Sequence, residues 1–348
     1  MVLVLCPLNF TWSARLSVGG YLNKNPVIWI ITVNYRTANL VIESLRAIAV
    51  QKEALGGGWV MIVDNASGDG SEEAILSAIQ SEGWSHWVSI TPMSRNGGFA
   101  FGNNVGFSQA LLSNQVDYLL LLNPDSLVRQ NAIEELVTFM ETHPHVGIAG
   151  SRLENVDGGI ECSAHKFHSP FSELLDGARL GALTRMLSSY EVTPPLRDDA
   201  YACDWVSGSS MIIRRKVIED IGFMDEGFFL YFEEVDFFFR AARAGWQTWY
   251  VPESIVMHIE GVSTGIKSTQ RRPAYWYNSR RRYFVKHYGI LGLILADLLW
   301  SIGRFTFLVR RFLKLGAQGT LRDPKYYSFD LLWGDLRAIL NGEIWKIP

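Results

Sequence analysis

Cysteine is nearly absent from this 348-residue chain: Cys6, Cys162 and Cys203 show no CxxC or metal-ligand spacing. A disulfide-stapled secreted scaffold is excluded, and a reducing compartment is the simpler reading. Charged residues are also sparse at 19%, while apolar residues reach 48%, a balance that supplies a core and argues against disorder. No GxGxxG follows the first apolar run and no GxxxxGK[ST] occurs, which counts against a dinucleotide oxidoreductase and a P-loop ATPase. GxSxG and HExxH are missing too. No repeat of 20–50 residues is visible, so a solenoid is excluded. The opening MVLVLCPLNF is apolar but has no basic stretch before it, which makes a poor secretion signal. Residues 1–25 are expected to be an extension ahead of the domain proper.

The net charge of −3 conceals a division. Residues 1–266 carry 17 Lys/Arg against 30 Asp/Glu, whereas 267–314 carry 11 Lys/Arg against Asp297 alone. Such a basic section either meets an anionic partner or pairs with the acidic body.

Order begins at the β-rich run Val27–Val33, which has the near-continuous apolarity of a strand buried on both faces. An apolar stripe follows over about 38–52, then a strand at Trp59–Val63 ending at Asp64, and a helix from roughly 71 to 82. A short strand at 87–91, a helix at about 100–114 and the run Tyr118–Leu122 come next, then a helix at 130–142 and a strand at 146–150. This alternation predicts an α/β fold, a mostly parallel sheet flanked by helices, whose ligands lie at the carboxyl ends of the strands. Residues 155–200 lose the pattern, and an irregular excursion is expected there. Order resumes at Asp204, continues through a helix carrying Glu233, Glu234 and Asp236, and reaches His258 after a strand at 247–251.

Chemistry concentrates at the strand ends. Asp125 follows the leucines of the third long strand directly, and a carboxylate there becomes useful beside a diphosphate when Mg2+ or Mn2+ bridges the two. As an isolated residue it reads equally well as a turn aspartate, and His258 alone reads as a structural histidine. Glu233 and Asp236 share one face of their helix while Glu234 points about 100° away. Phenylalanine, tyrosine and leucine flank them on both sides, an unusual setting for merely solubilising charge. Asp64 has the chemistry to accept a nucleobase N–H, Arg95 to meet phosphate or base, and Gly97 and Gly98 to let backbone amides approach a phosphate.

The segments VNYRTANL (33–40), IVDNASGDGS (62–71), NGGFAFGNNVG (96–106), LLLNPDS (120–126), DWVSGSSMIIRR (204–215), GFMDEGFFLYFEEVDFFFRAARAGW (222–246) and VPESIVMHIEGVS (251–263) occur in this order. Together they resemble the inverting, metal-dependent family 2 glycosyltransferases of GT-A fold, nearest to the bacterial rhamnosyltransferase-like branch of cell-surface polysaccharide synthesis. The resemblance spans 33–263. It implies a base-recognition role for Asp64, with Asn34, Arg36, Arg95, Asn96, Gly98, Asn104 and Asn123 about the nucleotide. Trp205 and Gly208 would lie under the sugar and acceptor. Asp125 matches the last carboxylate of the metal motif, whose first position is Asn123 here, and His258 the late histidine of the Mg2+ or Mn2+ site. Glu234 occupies the catalytic-base position, where the family generally has aspartate; the added methylene moves the carboxylate by roughly 1 Å. Glu233 or Asp236 would share the task.

The implied domain is 26–265, followed by a basic and aromatic helical extension at 266–348. Charges interrupt Ile290–Phe312 before an 18-residue apolar span is reached, which disfavours a membrane-crossing helix. Either the extension lies in the membrane plane through 267–314 with basic side chains at anionic headgroups, or it packs on the catalytic domain or a second copy. The resemblance implies a nucleotide-diphosphate sugar donor, a saccharide or lipid-diphosphate-linked saccharide acceptor, and a cytoplasmic location at the inner face of the bacterial membrane. A homodimer is compatible, and nucleic acid is not expected. The donor expected from the branch is dTDP-rhamnose, with UDP-galactofuranose or a UDP-hexose as alternatives. A non-catalytic carbohydrate-binding or assembly scaffold is the rival of another class.

Overall fold

The computed structural model describes residues 26–195, 197–259, 270–315 and 323–347. The expected extension at 1–25 and the stretch around Lys267 lie outside the described residues. The first half alternates as the apolar runs require: β1 (Ile28–Asn34), α1 (Ala38–Ala49), β2 (Trp59–Asp64), α2 (Ser71–Ser81), β3 (Val88–Pro92), α3 (Gly98–Leu112), β4 (Tyr118–Leu122), β5 (Ser126–Val128), α4 (Ala132–Thr142) and β6 (Val146–Glu154). Short pieces follow, β7 (Ile160–Glu161), β8 (Ala164–His165), α5 (Pro170–Ala178), α6 (Gly181–Met186), β9 (Tyr201–Cys203) and β10 (Trp205–Val206). Then come β11 (Ser210–Arg214), α7 (Arg215–Ile221), α8 (Glu233–Arg243), β12 (Gln247–His258), α9 (Ala274–Phe312) and α10 (Tyr327–Leu340).

The main sheet runs in the order β3-β2-β1-β4-β11-β6-β12-β5. Its β3-β2-β1-β4 half is parallel, so β1, β2 and β4 all end on one edge. All of Tyr118–Leu122 is buried, as expected of a strand covered on both faces. One covering layer is built from Val41, Leu45, Ile75, Ile79, Ile133 and Leu136 of α1, α2 and α4. The other comes from α3, α7 and α8, with Phe107, Val217, Phe237 and Phe238. Gly102 and Gly106 let α3 lie close on β1; an added Cβ would come within 2.6 Å of Val33 or Ile31. That glycine face hides α3 from any search for an apolar stripe.

β11 enters antiparallel between β4 and β6, pairing Ser210 with Leu122. β12 continues past Pro252 to His258 through a register shift between Val251 and Ile255. The sequence reading stops this strand at 251; the proline that follows cannot donate to a ladder, and the shift accommodates it. At its far end β12 pairs with β5, setting His258 opposite Ser126, one residue from Asp125.

The excursion at 155–200 contains more order than its sequence announces. Ser169 and Ser172 cap α5 reciprocally, and Pro170 opens it. α5 crosses α9 at two glycines: a Cβ on Gly177 would lie 2.4 Å from Trp300 O, and one on Gly303 2.5 Å from Leu174 O. α9 breaks at Gly289, where φ is 71° and ψ 177°, into two helical segments.

Several of the extension's charges point inward, unlike the picture of basic side chains all lying at headgroups. Arg280 and Arg281 are buried. Arg280 meets Glu173 at 2.9 Å, Asp297 at 3.0 Å and Asp335 at 3.1 Å, and Arg281 meets Asp335 at 2.6 Å. Arg304 pairs with Asp323 at 2.7 Å. A buried cation needs such partners, and the polar stripe of α9 is therefore turned to the protein. Its apolar stripe is left outside: Phe305 is 68% exposed and Phe312 86%. By length and composition Ala274–Phe312 is sufficient to cross a membrane.

Gly303→Val is expected to destabilise the chain by about 1–3 kcal/mol through the overpacked α5–α9 crossing. A lowered urea midpoint with unchanged slope would register this; an unchanged midpoint would mean that the helices part without cost.

Candidate functional site

The strand ends at the sheet's edge carry polar side chains that first satisfy one another. Asn34 ends β1 fully buried, and its amide is used up. It donates to Asp64 Oδ1 at 2.6 Å and Ser67 Oγ at 3.1 Å, and accepts from the Thr37 amide and hydroxyl. Asp64 also accepts from the Ser67 hydroxyl at 2.6 Å and its amide at 3.1 Å. Asn34 is therefore a strut beneath Asp64. Arg36, held by Ser67 O at 3.0 Å, faces a separate cleft of about 430 Å³ with Asp69 and Ser71.

A cavity of about 350 Å³ opens beside this strut, lined by Tyr35, Asn65, Asn96, Gly98, Asn123 and Tyr275 among others. Asn65, which the sequence reading passes over, ties the end of β2 to the glycine loop. It donates to Asn96 Oδ1 and Gly98 O, both at 3.0 Å, and accepts from the Gly97 amide. Gly98 has φ 87°, and a Cβ there would lie 1.9 Å from Phe229 O. The next amide, that of Phe99, donates to the same oxygen at 3.0 Å. The loop before α8 is thus strapped to the glycine loop, and its Phe229 and Leu230 form part of the cavity wall.

Other expected contacts fall elsewhere. Arg95 is exposed and lies over the Phe101 ring at 4.4 Å. Asn104 is buried and fully engaged in holding the 224–226 turn, through Met224 O, Met224 N–H and Glu226. Its expected place beside the nucleotide gives way to this role, because both ends of its amide are occupied. Trp205 donates to Lys166 O at 2.9 Å and stacks on His165 with 4.1 Å between ring centroids. Burial lowers His165 to about 4 and His168, whose ring centroid lies 6.3 Å from that of Trp205, to about 3. Both are neutral imidazoles at pH 7. Gly208 lies against the Phe99 ring, where a Cβ would touch at 3.5 Å.

The β12–β5 register brings His258 Nε2 to 3.5 Å from Asp125 Oδ1, with Ser209 Oγ sharing a hydrogen bond to the same nitrogen at 3.2 Å. Glu161 lies 3.7 Å from Nδ1, on the other side of the ring. The 3.5 Å separation is close to the edge of about 3 Å that an octahedral shell requires, so these two donors fit a divalent cation. Among the described residues no group of three His, Cys, Asp or Glu side chains is placed to hold one. A cation held here would take its remaining ligands from outside these side chains.

At the start of α8 three carboxylates diverge in character. Burial raises Glu234 to about 7. Burial first, and then the charge of Glu234, raises Glu233 well above the usual range. One oxygen of each has no hydrogen-bond partner. The helix N-terminus would favour both anions, but desolvation outweighs it. Asp236 goes the other way: burial would raise it, but His287 at 2.9 Å, Lys286 at 2.8 Å and Arg240 at 3.0 Å pull it far below the carboxylate range. Asp236 is a permanent anion locked to the body, which removes it from the proton-transfer role allowed by sequence.

A mixed sheet with its ligand cavity at the strand ends, a histidine–aspartate pair there and buried carboxylates alongside define the GT-A class of nucleotide-sugar glycosyltransferases. The profile described as Glycosyl transferase family group 2 matches residues 118–321, more than half of the chain. The chain belongs to this family and is a sugar-transferring enzyme. It is 27% identical over 220 residues to an N-acetylglucosaminyl-diphospho-decaprenol L-rhamnosyltransferase of Mycobacterium tuberculosis, covering 59% of this chain and 68% of that one. It is 22% identical over 179 residues to the rhamnosyltransferase WbbL of Escherichia coli, covering 50% and 65%. Its fold matches that of the mannosyltransferase PcManGT from Pyrobaculum calidifontis, solved with GDP-Man and Mn2+, at a TM-score of 0.54 and 16% identity over 93% and 88% of the two chains.

Gly98→Ala is expected to cost more than about 1 kcal/mol of stability, since it adds strain at positive φ to the clash with Phe229. Nucleotide affinity measured by calorimetry should fall with it. Retained affinity would place the nucleotide away from this cavity.

Proposed function

We propose that this enzyme transfers L-rhamnose from dTDP-rhamnose, with inversion, to a hydroxyl of a saccharide carried on a lipid diphosphate. The observation that carries the reading is the Asp125–His258 pair, which directly follows the cavity-lining Pro124, together with a carboxylate at the start of α8, just beyond the cavity-lining Leu230, whose proton leaves near neutrality. The rhamnosyl donor is favoured by the two relatives named as rhamnosyltransferases. Asn65, Asn96 and Gly98 hold the glycine loop in shape around the nucleotide, and Tyr35 and Tyr275 offer ring faces to the base or sugar.

Asp125 and His258 would hold Mg2+ or Mn2+, which when bound neutralises charge developing on the departing diphosphate. Glu234 removes the proton of the acceptor hydroxyl as that oxygen attacks the anomeric carbon from the face opposite the diphosphate. Glu233, raised further, keeps its own proton and so spares Glu234 a neighbouring negative charge. A single displacement inverts the anomeric centre.

The acceptor's lipid is met by the outer faces of α9 and α10. Leu291, Phe305 and Phe312 on α9 and Phe329, Trp333 and Leu340 on α10 are all more than half exposed. Arg311 and Lys314 lie exposed at the end of this surface, suited to anionic headgroups. Asp297 and Arg304, in the middle of α9, are turned to protein partners, which favours lying on the membrane over crossing it. A seat at the inner face of the cytoplasmic membrane is part of this reading.

Calorimetry with dTDP-rhamnose, UDP-glucose, UDP-galactofuranose and GDP-mannose, each with and without Mn2+, tests the donor. Mn2+-dependent binding of dTDP-rhamnose alone, lost in Asp125→Ala, is expected; selective binding of another donor would replace the sugar assignment. Turnover should rise with pH through about 7 and then level, because Glu234 works only when deprotonated. Glu234→Gln should lower kcat by about 10²–10⁴-fold. A flat profile and an active Gln variant would move the base elsewhere.

Sedimentation with phosphatidylcholine–phosphatidylglycerol vesicles tests the seat. The wild type should co-sediment and a Phe305→Ser, Phe312→Ser double variant should not. Equal sedimentation would refute the seat, and a lipid-free dimer lost in the double variant would assign the face to a second copy.

A further inference from the structure

Tyr231 and Phe232 stand side by side in the left-handed backbone region, with φ 69° and 68°, immediately before Glu233. Side chains with a Cβ disfavour this conformation, and it persists where the surroundings impose it. The restraints on this segment come largely from α9. The Ser279 hydroxyl donates to Leu230 O at 3.0 Å. Arg282 makes a two-pronged contact with Asp225, and its guanidinium lies where a Cβ on Gly227 would be, 2.1 Å away. His287 donates to, or shares a proton with, Asp236 at 2.9 Å.

Lys286 stands apart among these. Its Nζ lies 2.7 Å from Asp225 Oδ2 and 2.8 Å from Asp236 Oδ1. Among the described residues it is the one side chain that touches both carboxylates. Asp225 opens the turn that leads to the cavity-lining Phe229 and Leu230, and Asp236 lies in the first turn of α8. Between them stand both left-handed residues and both raised glutamates. A single ammonium therefore closes the segment 225–236 into a loop of set span.

We propose that Lys286 is a positioning residue for sugar transfer: by bridging Asp225 and Asp236 it sets where Glu233 and Glu234 stand relative to the donor cavity. The assignment rests on the carboxylate-base reading above. Lys286 touches no reacting atom and acts through the span of this loop. Its loss leaves Asp225 with Arg282 and Asp236 with Arg240 and His287, so no buried carboxylate is stranded and the fold should survive. What is lost is the direct link between the two ends, which Arg282 and His287 then hold only separately, through α9. A base displaced by about 1 Å loses on the order of 100-fold in rate.

The test compares the full chain with Lys286→Met and Lys286→Arg. Hydrogen–deuterium exchange should rise within 226–236 in the Met variant, stay unchanged in β1, β2 and β4, and return toward wild type in the Arg variant. With dTDP-rhamnose and Mn2+, kcat should fall about 10- to 100-fold in the Met variant while donor KM stays within about twofold, and Arg should restore most of it. Exchange at 226–236 equal to wild type would overturn the proposal, as would a rise spread evenly over the sheet or a kcat that does not change. If the wild type fails to turn over dTDP-rhamnose, the donor reading fails, and the exchange experiment still decides the role of Lys286.

Discussion

Arg280 is a guanidinium buried at 1% exposure, and it obliges the C-terminal part of the molecule to assemble around it. Taking such a charge from water is costly unless carboxylates converge on it. Here they come from three places in the sequence: Glu173 on α5, Asp297 farther along α9 itself, and Asp335 on α10. The ion cluster ties these elements together, alongside the apolar contacts of Trp300 with Tyr327 and Leu331. Once α9 is seated, its first half presents Tyr275 to the cavity at the strand ends, Ser279 to Leu230 and Lys286 with His287 to Asp236. A region that reads as an appendage is thereby part of the frame of the active site.

The same constraint explains an inversion in the second half of α9. A helix on a soluble protein ordinarily buries its apolar stripe and exposes its charges. In α9 the charged stripe is consumed by Arg280, Glu173 and Asp323, and the helix backbone closes on α5 at Gly177 and Gly303. The apolar stripe is left over, and α10 continues it through Phe329 and Trp333. An outward apolar face joined to an inward ionic one is a geometry for a surface apolar on one side and protein on the other.

Within one turn of α8, three carboxylates of similar intrinsic acidity are driven to three states. Burial lifts Glu233 and Glu234, while three cations depress the buried Asp236. Neighbours, not residue type, set the difference. The depressed one anchors the helix, and the raised pair has none of these cations beside it. Asn34 and Asp64 show the same economy at the other side of the cavity, where one buried amide is spent on holding another group in place.

Much of the framework was legible in residue order. The buried runs of β1, β2 and β4 announce a parallel sheet, and local apolarity suffices to locate α1, α2 and α4, because those elements are decided by neighbours a few residues away. Asp125 could be found as a carboxylate emerging at a strand end. Its pairing with His258, 133 positions later, depends on the antiparallel insertion of β11 and on a shifted β12, which no short-range pattern encodes. α5 is invisible for the same reason, since the surface it packs on lies more than a hundred residues away. The sequence by itself determined which residues are apolar, where helices and strands begin, and which polar groups lie at strand ends. Tertiary structure decided which of those polar groups are spent on one another, which way α9 faces, and which carboxylate carries a proton, because burial and the approach of distant charges exist only once the chain has closed on itself.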